Sequence, residues 1–197
     1  MASSLILAGQ DLQAGQGQGQ LSQYYGYADT NQTTVTAAAA ANLSTVYTIP
    51  AAEAYAGASY ELSCAGFGTW GSTQQALTLK PFLGSVTAIG RVIAAAAFAA
   101  SAAFNWSVTI RMTCSDGVSN WQVSWDGAVV ETASALNPGT ASTNAVPLAG
   151  ATSSAQTASV SSAITVALQA QWAATTGAPT LTCVRTNFRK VALCGTG

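Results

Sequence analysis

Carboxylates and thiols are the side chains on which acid–base, nucleophilic or metal chemistry would have to rest, because the sequence has seven Asp and Glu, four Cys and no His. Without an imidazole there is no Ser–His or Cys–His dyad, and a thiolate would need another group to lower its pKa. Cys64, Cys114, Cys183 and Cys194 stand far apart with no C-x-x-C spacing. A zinc site is therefore not expected, and buried free thiols are the simpler reading. Paired carboxylates remain, as in glycoside hydrolysis. Asp11 and Asp29 fall near the N-terminus, Glu53 follows a proline, Asp116 and Asp126 each precede a glycine, and Glu61 and Glu131 occupy strand positions. Those last two could meet across a sheet, yet an outward, solvated face accounts for them equally well. The run "GQGQGQ" follows no strand and opens no helix, so it is no dinucleotide loop. The expectation is a non-enzymatic chain with no catalytic residue, no metal ligand and no cofactor.

The stretch "WSVTIRMTCSDGVSNWQVSWDGAVVE", Trp106 to Glu131, gathers three tryptophans, three acids and a cysteine. Asp116-Gly117 and Asp126-Gly127 are both pairs expected in tight hairpins, so the stretch reads as a three-stranded meander in which both aspartates make turns. Trp121, Val123 and Trp125 then share one face of the middle strand, with Gln122 and Ser124 opposite. Two readings stay open for Trp121 and Trp125: core or subunit interface, or an exposed platform that stacks sugars.

The elements that must position these residues are strands. Leu43, Thr45, Tyr47 and Ile49 alternate with Ser44, Val46 and Thr48 up to Pro50 and predict a first strand. Ala58, Tyr60, Leu62 and Cys64 share a face opposed by Ser59, Glu61 and Ser63. Leu77 and Leu79 repeat the pattern before Pro81. Trp106, Val108, Ile110, Met112 and Cys114 make a further alternation, as do Ile164, Val166, Leu168, Ala170 and Trp172. Leu181 and Cys183 open a last strand whose phase shifts near Val184, which predicts a bulge. For "RVIAAAAFAASAAF" a short helix competes with a strand ending near Phe98 and a connecting loop; the strand is favoured because its neighbours carry period two. Residues 133–160 read as a long loop with at most one short strand. The count is eight to nine strands without a convincing helix, an all-β sandwich.

Composition narrows the partners. Charged residues are 7% of the chain, against about 25% in ordinary domains, so the surface is largely neutral Ser, Thr, Gln and Ala. Such a surface has little colloidal protection from net charge and suits a protein held in an assembly. A formal charge of −1 leaves no electrostatic footprint for nucleic acid; Arg185, Arg189 and Lys190 are the only cluster. The run Leu5–Ala8 lacks a basic flank and is short for a secretion signal, and Val92–Ala103, mostly alanine and broken by Ser101, is too short to cross a membrane. The N-x-S/T triplets at Asn31, Asn42 and Asn105 carry no meaning for a chain that is not exported. Residues 1–26 read as an extended arm, with "QAGQGQGQ" at its centre. Its anchor-capable groups, together with the first residue after it, are Leu5, Ile6, Leu7, Leu12, Tyr24, Tyr25 and Tyr27. Fully extended, the arm would reach up to ~85 Å.

The order "NLSTVYTIPA", "YAGASYELSCAGFGT", then W-x-V-x-I-R-M-T-C-S-D-G and finally "TLTCVRTNFRKV" resembles jelly-roll virion proteins of tailed bacteriophages, of the capsid decoration, head fibre or minor tail type. The likeness spans roughly Asn31 to Leu193 and is a pattern of strands and turns; the Gly/Gln arm departs from it. It implies a jelly-roll domain over residues 27–197, a homo-oligomer, commonly a homotrimer, and partners among the major capsid or tail proteins of one particle assembled in a bacterial cytoplasm. The arm would dock the chain on that particle. The rival reading is a carbohydrate-binding or host-receptor-binding module at a tail tip, acting through Trp121, Trp125 or other exposed aromatics on host-surface glycans.

Overall fold

The computed structural model describes residues 27–30, 32–84, 90–132, 145–151 and 156–191. Four short strands come first among the described residues: β1 (Tyr27–Asp29), β2 (Thr33–Val35), β3 (Ala41–Asn42) and β4 (Tyr47–Ile49). The long β5 (Ser59–Thr69) and β6 (Leu77–Leu83) follow, then β7 (Arg91–Ile93) and a single 3-10 turn at Ala95–Ala97. The hairpin of β8 (Ala103–Cys114) and β9 (Asn120–Glu131) is succeeded by three fragments, β10 (Ala145–Pro147), β11 (Gly150–Ala151) and β12 (Gln156–Thr157). The described residues finish with β13 (Ile164–Trp172) and β14 (Thr180–Val191).

These strands form two antiparallel sheets, packed face to face as a β-sandwich. The larger runs β1-β14-β5-β8-β9-β10, with β2 also on β14 and β11 and β12 also on β9; the smaller runs β3-β13-β6-β7, with β4 also on β13. Period-two patterning explains the layering, since alternate side chains leave opposite faces of a strand. Along β8, Phe104, Trp106, Val108, Ile110, Met112 and Cys114 are buried while Asn105, Ser107 and Arg111 are exposed. The smaller sheet contributes Leu77, Leu79, Leu83, Ile164, Val166, Leu168 and Trp172 to the same core.

Aromatic rings organise that core. Trp70 packs edge-on against Phe98, Phe104 and Trp172, at centroid distances of 5.1, 5.6 and 5.1 Å. Burying an indole strands its N–H unless a partner is found. Here Nε1 of Trp70, Trp106, Trp121 and Trp172 donates to the carbonyls of Ala95, Thr182, Ala158 and Val35 respectively. Each bond ties a core ring to a backbone segment remote in sequence.

Several expectations change in detail. Of the predicted strand over Leu43–Ile49 only Tyr47–Ile49 is strand, as β4, with β3 lying just before it; Ser44 turns inward, where its Oγ accepts from Leu168 N at 2.8 Å and donates to Thr45 O. Leu43 N and Ser44 N both donate to Leu168 O. Pro81 lies within β6 instead of ending it; β7 pairs only with Leu77–Leu79, so among the described residues β6 has no partner on that side at Pro81, a position where a missing N–H costs no ladder bond. In the Ala-rich segment the strand stops at Ile93, the 3-10 turn follows, and Phe98 is buried beyond it. Within 133–160 the described residues hold β10, β11 and β12, all laid along β9. The bulge expected near Val184 is present, as a register shift between Cys183 and Arg185 opposite β5.

Asp126-Gly127 is not a turn. Both residues lie inside β9, opposite Thr109 and Val108. Gly127 is required there by close approach, since a Cβ would stand 2.2 Å from Ser107 O. The hairpin turn is at Asp116-Gly117 alone, and the meander's third strand is replaced by the β10–β12 fragments.

Candidate functional site

Chemistry-bearing side chains converge at four places, which can be judged in turn by what each group is already doing. The first is Glu61, on the outer face of β5 opposite Arg189 of β14 and Arg111 of β8. Arg111 Nη2 donates to Oε2 at 3.1 Å, while Arg189 Nε and Nη2 donate to Oε1 at 3.0 and 2.6 Å. The carboxylate is 6% exposed although it lies on an outer face, because two half-exposed arginines cover it. Both oxygens are engaged, so Glu61 acts as a charge clip across three strands. It does not meet Glu131, which lies opposite Phe104. Arg111 and Phe104 are seven positions apart on β8, about 23 Å at ~3.3 Å per residue. Glycosidase carboxylates stand within roughly 5–10 Å of each other.

The second place is a cleft of about 90 Å³ at one end of the sandwich, lined by Thr48, Ile49, Pro50, Glu53, Tyr60, Phe188 and Lys190. Lys190 Nζ lies 3.3 Å from Glu53 Oε1, and the Tyr60 hydroxyl donates to the same oxygen at 3.4 Å. The ammonium also sits 5.2 Å from the centroid of Tyr55 and 5.7 Å from that of Tyr60, close enough for cation–π attraction. Burial, reinforced by the Glu53 charge, pushes the Tyr60 phenol well above its ordinary value. The protonated phenol, the carboxylate and the ammonium partner one another and form a polar plug in this cleft.

The third is the β8–β9 turn. Asp116 Oδ1 accepts from the backbone N of Val118, Ser119 and Asn120 at 2.8, 2.9 and 3.0 Å, and Oδ2 accepts from Asn120 Nδ2 at 2.7 Å. These donors favour the ionised form and hold the carboxyl down to about 2. The sign follows: the folded pKa lies below the unfolded value of about 3.9, so the contribution is complete above that value and is lost as pH falls through about 2. Asp116→Asn is expected to lower the urea midpoint by a constant amount above about pH 5, and the gap from the parent should shrink between about pH 4 and 2. Parallel urea melts across that range check it; a gap that does not change with pH would remove the carboxylate from the turn's stability.

The fourth place is the Trp121–Trp125 pair. Trp121 is fully buried and Trp125 is 7% exposed, with both rings directed into the core beside Val123. Trp121 also packs on Tyr60 at 6.0 Å. The exposed face of β9 carries Gln122, Ser124 and Asp126 instead. Neither indole can serve as a stacking platform, because period two turns positions 121 and 125 to the same side as Val123 and Val129.

Cys64, Cys114 and Cys183 are buried and free; Cys194 lies outside the described residues. So do Leu5, Ile6, Leu7, Leu12, Tyr24 and Tyr25 of the arm; of Tyr27 the structure describes the backbone, which pairs with Phe188. Among the described residues no group of three or more His, Cys, Asp or Glu converges to hold a metal ion, and no helix is long and apolar enough to cross a membrane. The Glu61 clip and the Lys190–Glu53 plug were not read from the sequence. The outward positions of Glu61 and Arg111 were legible, but the register that sets them opposite one another was not. No protein-family model and no curated protein matches this chain.

Proposed function

We propose that this chain is a non-enzymatic structural protein of a tailed-bacteriophage virion, a jelly-roll-type sandwich that self-associates, as a trimer, and docks on capsid or tail through residues 1–26. The observation that carries the non-enzymatic part is the fate of the carboxylates: Glu61, Glu53 and Asp116 are each consumed in a contact that closes the fold. The jelly-roll assignment is supported by nested pairing, with β5 beside β14 in one sheet and β6 beside β13 in the other. Assembly is supported by the sheet edges. β1, β2, β3, β7, β10, β11 and β12 are two or three residues long, and short edge strands let copies crowd together without runaway pairing. The virion itself rests on the strand-and-turn resemblance and on the nearly uncharged surface.

In this mechanism the arm orders on the particle and gains affinity by wrapping a neighbour, while the sandwich supplies the self-complementary face. Light scattering on the purified chain tests it, with and without residues 1–26. The expected result is a species of three chain masses in both forms, with particle incorporation lost only in the truncated one. A monomer at every concentration, or normal incorporation without the arm, would overturn it. The glycan-binding alternative would have to use other exposed aromatics, such as Tyr55 and Phe67, in place of Trp121 and Trp125.

A further inference from the structure

We propose that Cys64 and Cys183 form a dithiol that a peroxide converts to an intramolecular disulfide, covalently stapling β5 to β14. The two strands are antiparallel neighbours, with Cys64 opposite Thr186 and Cys183 opposite Gly66. The bulge between Cys183 and Arg185 breaks the ladder at this point, and both cysteines are buried, so both side chains enter the core. The residue opposite Cys183 has no side chain, and none fits: a Cβ on Gly66 would stand 1.9 Å from Thr182 O. Nothing from that position stands between the two side chains, and Cys183 Sγ reaches to 3.7 Å from Ala65 O, the carbonyl of the residue after Cys64. Around Cys183 Sγ lie Arg185 O at 3.4 Å, Thr186 Oγ1 at 3.6 Å and Ala65 O at 3.7 Å, a polar niche inside an otherwise apolar core.

Interaction with Cys183, reinforced by burial, pushes the Cys64 thiol well up, and interaction with Cys64 draws Cys183 down. The attacking sulphur is Cys183, the one in the polar niche, after its S–H proton has been given up. Its thiolate attacks one oxygen of hydrogen peroxide, the O–O bond breaks, and the departing hydroxide takes up a proton as water. Cys64 sulphur then attacks the Cys183 sulfenic acid, the S–O bond breaks, and the hydroxyl leaves with the Cys64 proton as a second water. Two thiols and one peroxide give one disulfide and two waters. Cys114, on β8 with its Sγ beside Asp116 Oδ1, takes no part in this pair.

The test uses the full-length reduced chain, folded, with hydrogen peroxide as the oxidant, followed by denaturation, thiol alkylation and intact and peptide mass measurement without reductant. The expected result is a loss of two hydrogens, two of the four cysteines protected from alkylation, and one cross-linked peptide pair joining Cys64 to Cys183, all reversed by a thiol reductant. Cys114→Ser should behave as the parent, and Cys64→Ser should retain every remaining thiol as alkylatable or singly oxidised. The parent's peptide map reads the cross-link without any substitution, so a variant that fails to fold does not blunt the test. Four alkylatable thiols after treatment, oxidation of Cys183 to the sulfinic acid without cross-linking, or a cross-link that includes Cys114 or Cys194 would each overturn the proposal.

Discussion

Trp121→Ala is expected to lower the unfolding free energy by about 3–5 kcal/mol, the usual cost of removing a buried large aromatic side chain. For a chain of this size that corresponds to a fall in Tm of roughly 6–20 °C, at about 2–4 °C per kcal/mol. Three contacts are lost together: the buried indole surface, the packing on Tyr60, and the Nε1 bond that ties Ala158 to β9. The carbonyl of Ala158 is left to find another donor, which adds to the cost. Thermal and urea melts measure the effect. A variant that kept the parent midpoint while losing affinity for a glycan would show that Trp121 works at the surface and would restore the sugar-binding reading.

Gly127→Ala should be destabilising for a different reason, by about 1–3 kcal/mol or more, as expected when atoms are forced into a packed site. The added Cβ would stand 2.2 Å from Ser107 O and 2.8 Å from Val108 Cα, so it meets backbone that cannot rotate away. β9 is also held on its other side, where Leu148 N donates to Gly127 O at 2.8 Å. Relief would require β8 and β9 to part at their centre. Gly150→Ala is the control, because a Cβ there meets nothing within 4 Å; its change should stay within about 0.5 kcal/mol. Equal urea midpoints for the two variants would refute the close-approach explanation and return Gly127 to the role of an ordinary flexible residue.

Gly127 also shows where local reading stops. Asp-Gly is a turn signal because glycine adopts left-handed backbone readily, and at Asp116-Gly117 that reading is right: Gly117 has φ of 69° and Asp116 gathers the amides that follow. At Asp126-Gly127 the same dipeptide serves another need, the approach of a neighbouring strand. The dipeptide is identical in the two places; the difference lies in β8, which is distant in sequence from neither but is positioned only by folding.

The sequence by itself determined the class of the fold and which side chains of each long strand share a face. Alternation in β8, β9 and β13 is a property of the chain, since side chains leave a strand on opposite faces whatever its partners. It also determined the bulge beyond Cys183, where the phase of the pattern slips, and the burial of Cys64, Cys114 and Cys183. Only the tertiary structure decided which strands are neighbours and in what register. Register is what places Glu61 between Arg111 and Arg189, keeps Glu131 away from it, brings Lys190 to Glu53 from 137 residues away, and sets Cys64 beside Cys183. It also turned the two tryptophans that looked able to hold a sugar into core. The physical reason is that strand pairing is settled by the summed burial of both sheets and by backbone contacts between distant segments, and neither quantity exists until the sandwich has closed.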